Sequence, residues 1–83
     1  MKALYFAWVR ERVGLGEEEI APPREVQSVA DLVIWLKSRG DNYAAAFANE
    51  KTVRVALDRS HAKPGALIAG ASEIAFFPPM TGG

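Results

Sequence analysis

The sequence predicts a small α+β domain in which one main helix lies on one face of a small sheet. Three observations carry this. One segment, residues 28–37, has a capped helix start and a single apolar stripe. The first and last structured segments are the most apolar stretches and read as strands. No second helical segment is long enough to build another layer, so helix on sheet is the architecture left. At 83 residues, with no repeat, low-complexity segment or linker, the chain reads as one domain. A domain of this size buries only ~60% of its unfolded surface, enough to fold alone but with little margin.

Residues 1–8 read as a strand. Leu4, Phe6 and Trp8 fall on one face and Ala3, Tyr5 and Ala7 on the other, so both faces are apolar, as in a central strand. The opening apolar run faintly resembles a signal peptide. It is followed at once by Arg10-Glu11-Arg12 rather than by small residues, and it is too short to span a bilayer. A strand and a cytoplasmic location are therefore expected. Residues 10–16 read as a charged turn broken by Gly14 and Gly16. Glu17-Glu18-Glu19-Ile20, closed by Pro22-Pro23, reads as a short edge strand, because charge and proline discourage unwanted pairing at an exposed edge. An acidic docking patch is the other reading of that run.

Ser28 followed by Asp31 is a capping-box pattern with Asp in place of the usual Glu. Val29, Leu32, Val33 and Leu36 then recur at helical spacing. Lys37 and Arg39 suit the negative end of the helix dipole, and Gly40 reads as the C′ residue. Ile34 and Trp35 lie off the stripe and are expected to be covered by the next segment. Asp41 reads as the cap of a short second helix that places Tyr43 and Phe47 on one side. Residues 52–57 alternate, with Val53, Val55 and Leu57 inward and Thr52, Arg54 and Ala56 outward. Residues 58–65 read as a polar loop, 66–68 as an apolar plug, 70–72 as a turn and 73–77 as the last strand.

Composition removes several kinds of chemistry. Lys plus Arg equals Asp plus Glu at 10 each, so the basic excess of a nucleic-acid-binding domain is missing. With no cysteine there are no disulfides, thiolate nucleophiles or Cys-based metal sites. His61 is the only histidine and sits in the polar loop beside Ser60, with no triad geometry implied. The glycines lack a phosphate-binding fingerprint, and no His/Asp/Glu cluster has metal-ligand spacing. The domain has no evident active site of its own.

That leaves the last residues, Phe76-Phe77-Pro78-Pro79-Met80-Thr81-Gly82-Gly83. A frayed end is one reading; a reactive terminal carboxylate on Gly83 is the other. Proline fixes φ and has no N–H for a sheet, so Pro78-Pro79 should end the strand. Six residues beyond Phe77, extended at ~3.3–3.6 Å each, reach about 20 Å. Gly82-Gly83 would pass through a narrow channel because glycine has no side chain to clash. A carboxylate is a poor electrophile, but as a mixed anhydride with AMP it becomes a good acyl donor.

The opening Leu4-Tyr5-Phe6-Ala7-Trp8-Val9-Arg10-Glu11, the closing Glu73-Ile74-Ala75-Phe76-Phe77 strand and the tail together resemble the small sulfur-carrier subunits of molybdopterin synthase. The resemblance spans the full chain. It implies a ubiquitin-like β-grasp fold with a mixed sheet whose first and last strands are parallel neighbours. Residues 1–77 would be the β-grasp domain and 78–83 an extended reactive tail. It further implies that Gly83, preceded by Gly82, is adenylated with ATP by a ubiquitin-activating-type adenylyltransferase and converted to a thiocarboxylate. That sulfur would pass to cyclic pyranopterin monophosphate (precursor Z) in the large synthase subunit, within a heterotetramer. The carrier would be non-catalytic and hold no cofactor, ATP being used by its activator. Phe76, Phe77, Pro78, Pro79, Met80 and Thr81 would contact the partner, with Phe77 anchoring the tail. A thiamine-pathway sulfur carrier or a ubiquitin-related modifier is the alternative. Three departures fall outside the two glycines: Met80 stands where a branched aliphatic residue is expected, Asp58 where Asn is frequent, and Gly70-Ala71-Ser72 where Gly-Asp is usual.

Overall fold

A computed structural model describes residues 1–79. Its elements run β1 (Lys2–Tyr5), α1 (Ala7–Val13), β2 (Glu17–Glu19), α2 (Val29–Lys37), α3 (Asp41–Ala46), a 3₁₀ turn (Glu50–Thr52), β3 (Arg54–Leu57), β4 (Ser60–Ala62) and β5 (Glu73–Phe77). The strands form one five-stranded sheet in the order β2-β1-β5-β3-β4. β1 and β5 are the only parallel pair among the described strands, with Tyr5 beside Phe76; the other pairings are antiparallel. This is the mixed β-grasp sheet that the family resemblance implies, first and last strands adjacent.

The period-2 register sorts the side chains onto two faces. Ala3, Tyr5, Ile74, Phe76 and Val55 turn to the helices and are buried with Val9, Leu32, Leu36 and Phe47. Leu4, Ala75, Ala56 and His61 form a row across the opposite face, which no described helix covers.

α2 is as expected at its start: Ser28 Oγ accepts from the Asp31 N–H at 3.1 Å, and the Asp31 carboxylate accepts from the Ser28 N–H at 3.2 Å. These backbone donors, Gln27 first, hold the Asp31 carboxyl below its ordinary pKa. The helix ends at Ser38 rather than at a glycine, and Gly40 instead leads into α3, with Asp41 as its first residue. Ile34 is not covered, being 64% exposed, while half-buried Trp35 lies 5.2 Å beneath the Arg39 guanidinium.

Two expectations about the chain path are corrected. The strand expected over residues 1–8 stops at Tyr5, and the charged turn expected at 10–16 is mostly helix α1. Ala7, at φ 52°, turns the chain from strand to helix. Val9 and Val13, four apart, then face the core, and Gly14 closes α1 with φ 91° and its N–H donating to the Arg10 carbonyl at 2.8 Å. On the helix Val9 and Val13 lie one turn apart and are both buried, while Arg10, Glu11 and Arg12 between them stay exposed. Likewise the polar loop expected at 58–65 contains β4. Asp58 and Arg59 adopt φ 46° and 71°, the paired positive φ of a type I′ hairpin turn. The turn escaped notice because Asp-Arg is not the usual Asn-Gly. The Asp58 carboxylate accepts from the Ser72 and Glu73 N–H groups at 2.9 and 3.0 Å, tying that turn to the start of β5.

Candidate functional site

The site is the root of the tail, where three elements converge. β5 and β1 are parallel and end together; α1 begins there, and β3, antiparallel to β5, starts there with Arg54 opposite Phe77. On the β1 side the last backbone contact is the Phe6 N–H donating to the Phe76 carbonyl at 3.1 Å. Pro78 and Pro79 follow, half-buried, and neither can donate to a neighbouring strand. Met80, Thr81, Gly82 and Gly83 lie outside the described residues.

Phe76 does not belong to a partner surface. It is 0% exposed, stacked on Tyr5 with centroids 5.7 Å apart, and meets Phe47 edge-on at 5.0 Å. A strand's alternation sends one of two consecutive residues inward, and here it is Phe76. Phe77, on the open face, is half-buried with the His61 ring edge-on at 5.8 Å. Phe6, 47% exposed, lies at the same end of the sheet. With Leu4, Ala56 and Ala75 these residues make an apolar strip running to the tail's root. His61, expected in a loop, and Leu4 and Ala75 were not assigned to a site by sequence, because only the register aligns them.

The electrostatics around the root favour cation over anion. Arg54 has no ion-pair partner among the described residues, and neither do Arg10 or Arg12 of α1, whose Arg12 guanidinium sits 4.6 Å from the Trp8 centroid. The three glutamates of β2 are engaged along their own edge. Glu17 pairs with Lys2 at 3.0 Å, which raises the Lys2 pKa. Glu18 turns to the helix face, where its Oε2 accepts from Tyr43 Oη at 2.6 Å and Tyr5 Oη at 2.8 Å while Arg39 stands 3.2 Å from Oε1. Burial alone would raise the Glu18 pKa, but Tyr43, Tyr5 and Arg39 together hold it below the ordinary value. Burial and then Glu18 push both phenols up. The glutamate run is thus an edge strand, yet its middle member is a structural tie and not simply solvated. Among the described residues no group of His, Asp and Glu converges as a metal site, and no helix is long and apolar enough to cross a membrane.

The parallel central pair, the single capped main helix and a last strand that runs into prolines define a β-grasp domain. Residues 3–83 match the ThiS family. Molybdopterin synthase sulfur carrier subunits are 32% identical over 83 residues in Escherichia coli, covering 100% of this chain and 99% of that one. In Caenorhabditis elegans such a subunit is 34% identical over 85 residues, covering 100% and 96%. A solved structure from Pyrococcus furiosus, described as a molybdopterin converting factor subunit 1, superposes with TM-score 0.75 at 26% identity over 95% of each chain. SAMP1 from Haloferax volcanii shares the fold, with TM-score 0.73 at 22% identity over 100% and 98%. The chain belongs to the ThiS family, and within it to the molybdopterin synthase sulfur carrier subunits.

Proposed function

We propose that this chain carries sulfur for molybdenum cofactor biosynthesis on the carboxyl group of Gly83. A carboxylate oxygen attacks the α-phosphorus of ATP in an adenylyltransferase, pyrophosphate leaves, and an acyl-adenylate forms. A sulfur nucleophile supplied by the activating system then displaces AMP to give the thiocarboxylate. In the large synthase subunit that sulfur attacks a side-chain carbon of the cyclic pyranopterin monophosphate, and the carbon–oxygen bond there breaks as its oxygen leaves. Water cleaves the resulting acyl–sulfur bond, returning the Gly83 carboxylate and leaving sulfur on the pterin. Two such cycles supply the two sulfurs of the dithiolene. Dependence on an ATP-using activator supports a cytoplasmic location for this chemistry.

The observation that carries this reading is the root geometry. β5 is hydrogen-bonded on both sides, and its last residue, Phe77, sits on the open apolar strip beside Arg54. A tail launched from a fixed central strand is delivered from one position and direction, so little orientational freedom is lost when a partner's channel receives it. The strip of Leu4, Phe6, Ala75 and Phe77 gives activator and large subunit an apolar surface at the tail's base. Pro78, Pro79, Met80 and Thr81 are the segment that would line the channel entrance, with Gly82 and Gly83 inside.

Intact-mass spectrometry tests the chemistry. After incubation with an activating enzyme, ATP and a sulfur source, one oxygen of the chain should be replaced by sulfur. An unchanged mass with a partner that thiolates a known carrier would defeat the proposal. Isopeptide adducts to lysines of other proteins would favour the modifier reading instead.

A further inference from the structure

A groove of about 400 Å³ opens between the start of α2 and the β3–β4 hairpin, and Arg54 and His61 border both it and the tail's apolar strip. Its apolar lining includes Val29, Val33, Phe47, Val55 and Ala62. Val29, Val33, Phe47 and Val55 are core residues, so this is a place where the helix layer stops short of covering the sheet. Lys51, Arg54 and Lys63 also line it, and no Asp or Glu does so among the described residues. None of these three cations has an ion-pair partner among the described residues, although the chain as a whole is neutral. An apolar trough ringed by uncompensated positive charge is complementary to an apolar ligand that carries acid.

The adjoining backbone narrows the ligand to an extended chain. β4 is the last strand of the sheet and is paired on one side only, by β3. In a hairpin closed by a two-residue turn, the pair next to the turn is hydrogen-bonded and pairs alternate from there. Leu57–Ser60 and Val55–Ala62 are therefore the bonded pairs, and His61 between them turns its N–H and C=O outward. His61 and Ala62 both line the groove, so this edge strand borders it. We propose that the groove is a docking site for an extended, alternating apolar and acidic segment of a partner protein, added as a sixth strand beside β4. Its apolar side chains enter the trough and its carboxylates meet Lys51, Arg54 and Lys63. The opposite edge, β2, carries glutamates engaged by Lys2, Arg39 and the two tyrosines, so of the two edges it is β4 that offers cations to an acidic segment.

The test uses the full isotopically labelled chain and a short fluorescent peptide alternating valine and glutamate, with a valine–lysine peptide as the counterpart. No activating enzyme or ATP is needed, so the outcome is independent of the chemistry at Gly83. Saturable binding of the glutamate peptide is expected, with amide shifts grouped at 29–33, 51–55 and 60–63. Lys51→Glu with Lys63→Glu changes only exposed side chains and should leave the circular dichroism spectrum intact. This double variant should weaken the glutamate peptide at least about tenfold, a loss of roughly 1.4 kcal/mol. It should also acquire affinity for the lysine peptide. His61→Pro removes the outward N–H without touching a ladder bond and should weaken binding similarly. Three results would overturn the proposal: no saturation at millimolar peptide, shifts centred instead on Leu4, Ala56 and Ala75, or equal binding of both peptides by the unmodified chain. Concentration-dependent self-association that shifts the same amides would also overturn it, by assigning the groove to a second copy.

Discussion

Phe76 and Phe77 are neighbours in sequence and differ in everything that matters to function. Phe76 is held between Tyr5 and Phe47 in the core, and Phe77 lies on the open face against His61 at the base of the tail. One makes the sheet stable and the other makes its surface useful. The comparison teaches that a carrier of this size cannot separate its fold from its docking strip by distance. It separates them by the alternation of a single strand.

Removing the tail's end should produce the largest effect on activity and the smallest on the fold. Deleting Gly82 and Gly83 should abolish sulfur loading in the mass assay while the melting temperature stays within a degree or two, since glycine has no side chain to bury. Retained molybdenum-cofactor complementation by that variant would break the division drawn between Phe76 and Phe77, because function would then not run through the tail.

Phe76→Ala comes next, at about 3–5 kcal/mol of lost stability. For a small domain whose total is about 5–15 kcal/mol, that is enough to leave much of the protein unfolded near body temperature. Chemical denaturation should show it. A loss below about 1 kcal/mol would mean that the aromatic stack is not holding β5.

Glu18→Gln tests the tie that sets the Tyr5 side of that stack. It keeps the shape but removes the charge that Tyr5, Tyr43 and Arg39 meet, and it should cost about 1–3 kcal/mol. The same carboxylate sets a pH dependence. Glu18 and Asp31 have folded pKa values below their unfolded ones, so the folded state binds fewer protons. Their stabilisation is present above the ordinary carboxylate pKa near 4.3 and is lost as pH falls through that range and below. Denaturation midpoints should drop below about pH 4.5, and less steeply in the Gln variant.

Phe77→Ala should cost the least stability of the three point substitutions, about 1 kcal/mol or less, because its ring is already partly in water. Its effect belongs in the partner assay, as slower thiolation by the activator or a weaker complex with the large subunit. Unchanged rates and affinities would place the docking strip elsewhere on the open face.

Much of this molecule was legible because its signals are local. The capping box of Ser28 and Asp31, the stripe of Val29, Leu32, Val33 and Leu36, the burial of Tyr43 and Phe47, and the final strand at 73–77 all follow from neighbours within a turn or a pleat. Errors fell where two local patterns overlap. Residues 3–8 alternate as a strand, while Val9 and Val13 share a helical face, and only the core shows that the helix begins at Ala7. The hairpin at Asp58-Arg59 lacked its usual residues, so β4 and its open edge were hidden in an apparent loop.

By itself, the sequence determined the composition of the core, the main helix, the absence of thiol chemistry and the tail that names the candidate reaction. Those depend on residue types and short spacings. The tertiary structure decided which of two adjacent phenylalanines faces outward, that the middle glutamate of an edge strand ties two tyrosines and an arginine together, and that three cations gather around an unfilled groove. Each of these joins residues far apart in the chain, through a strand register that no local pattern specifies.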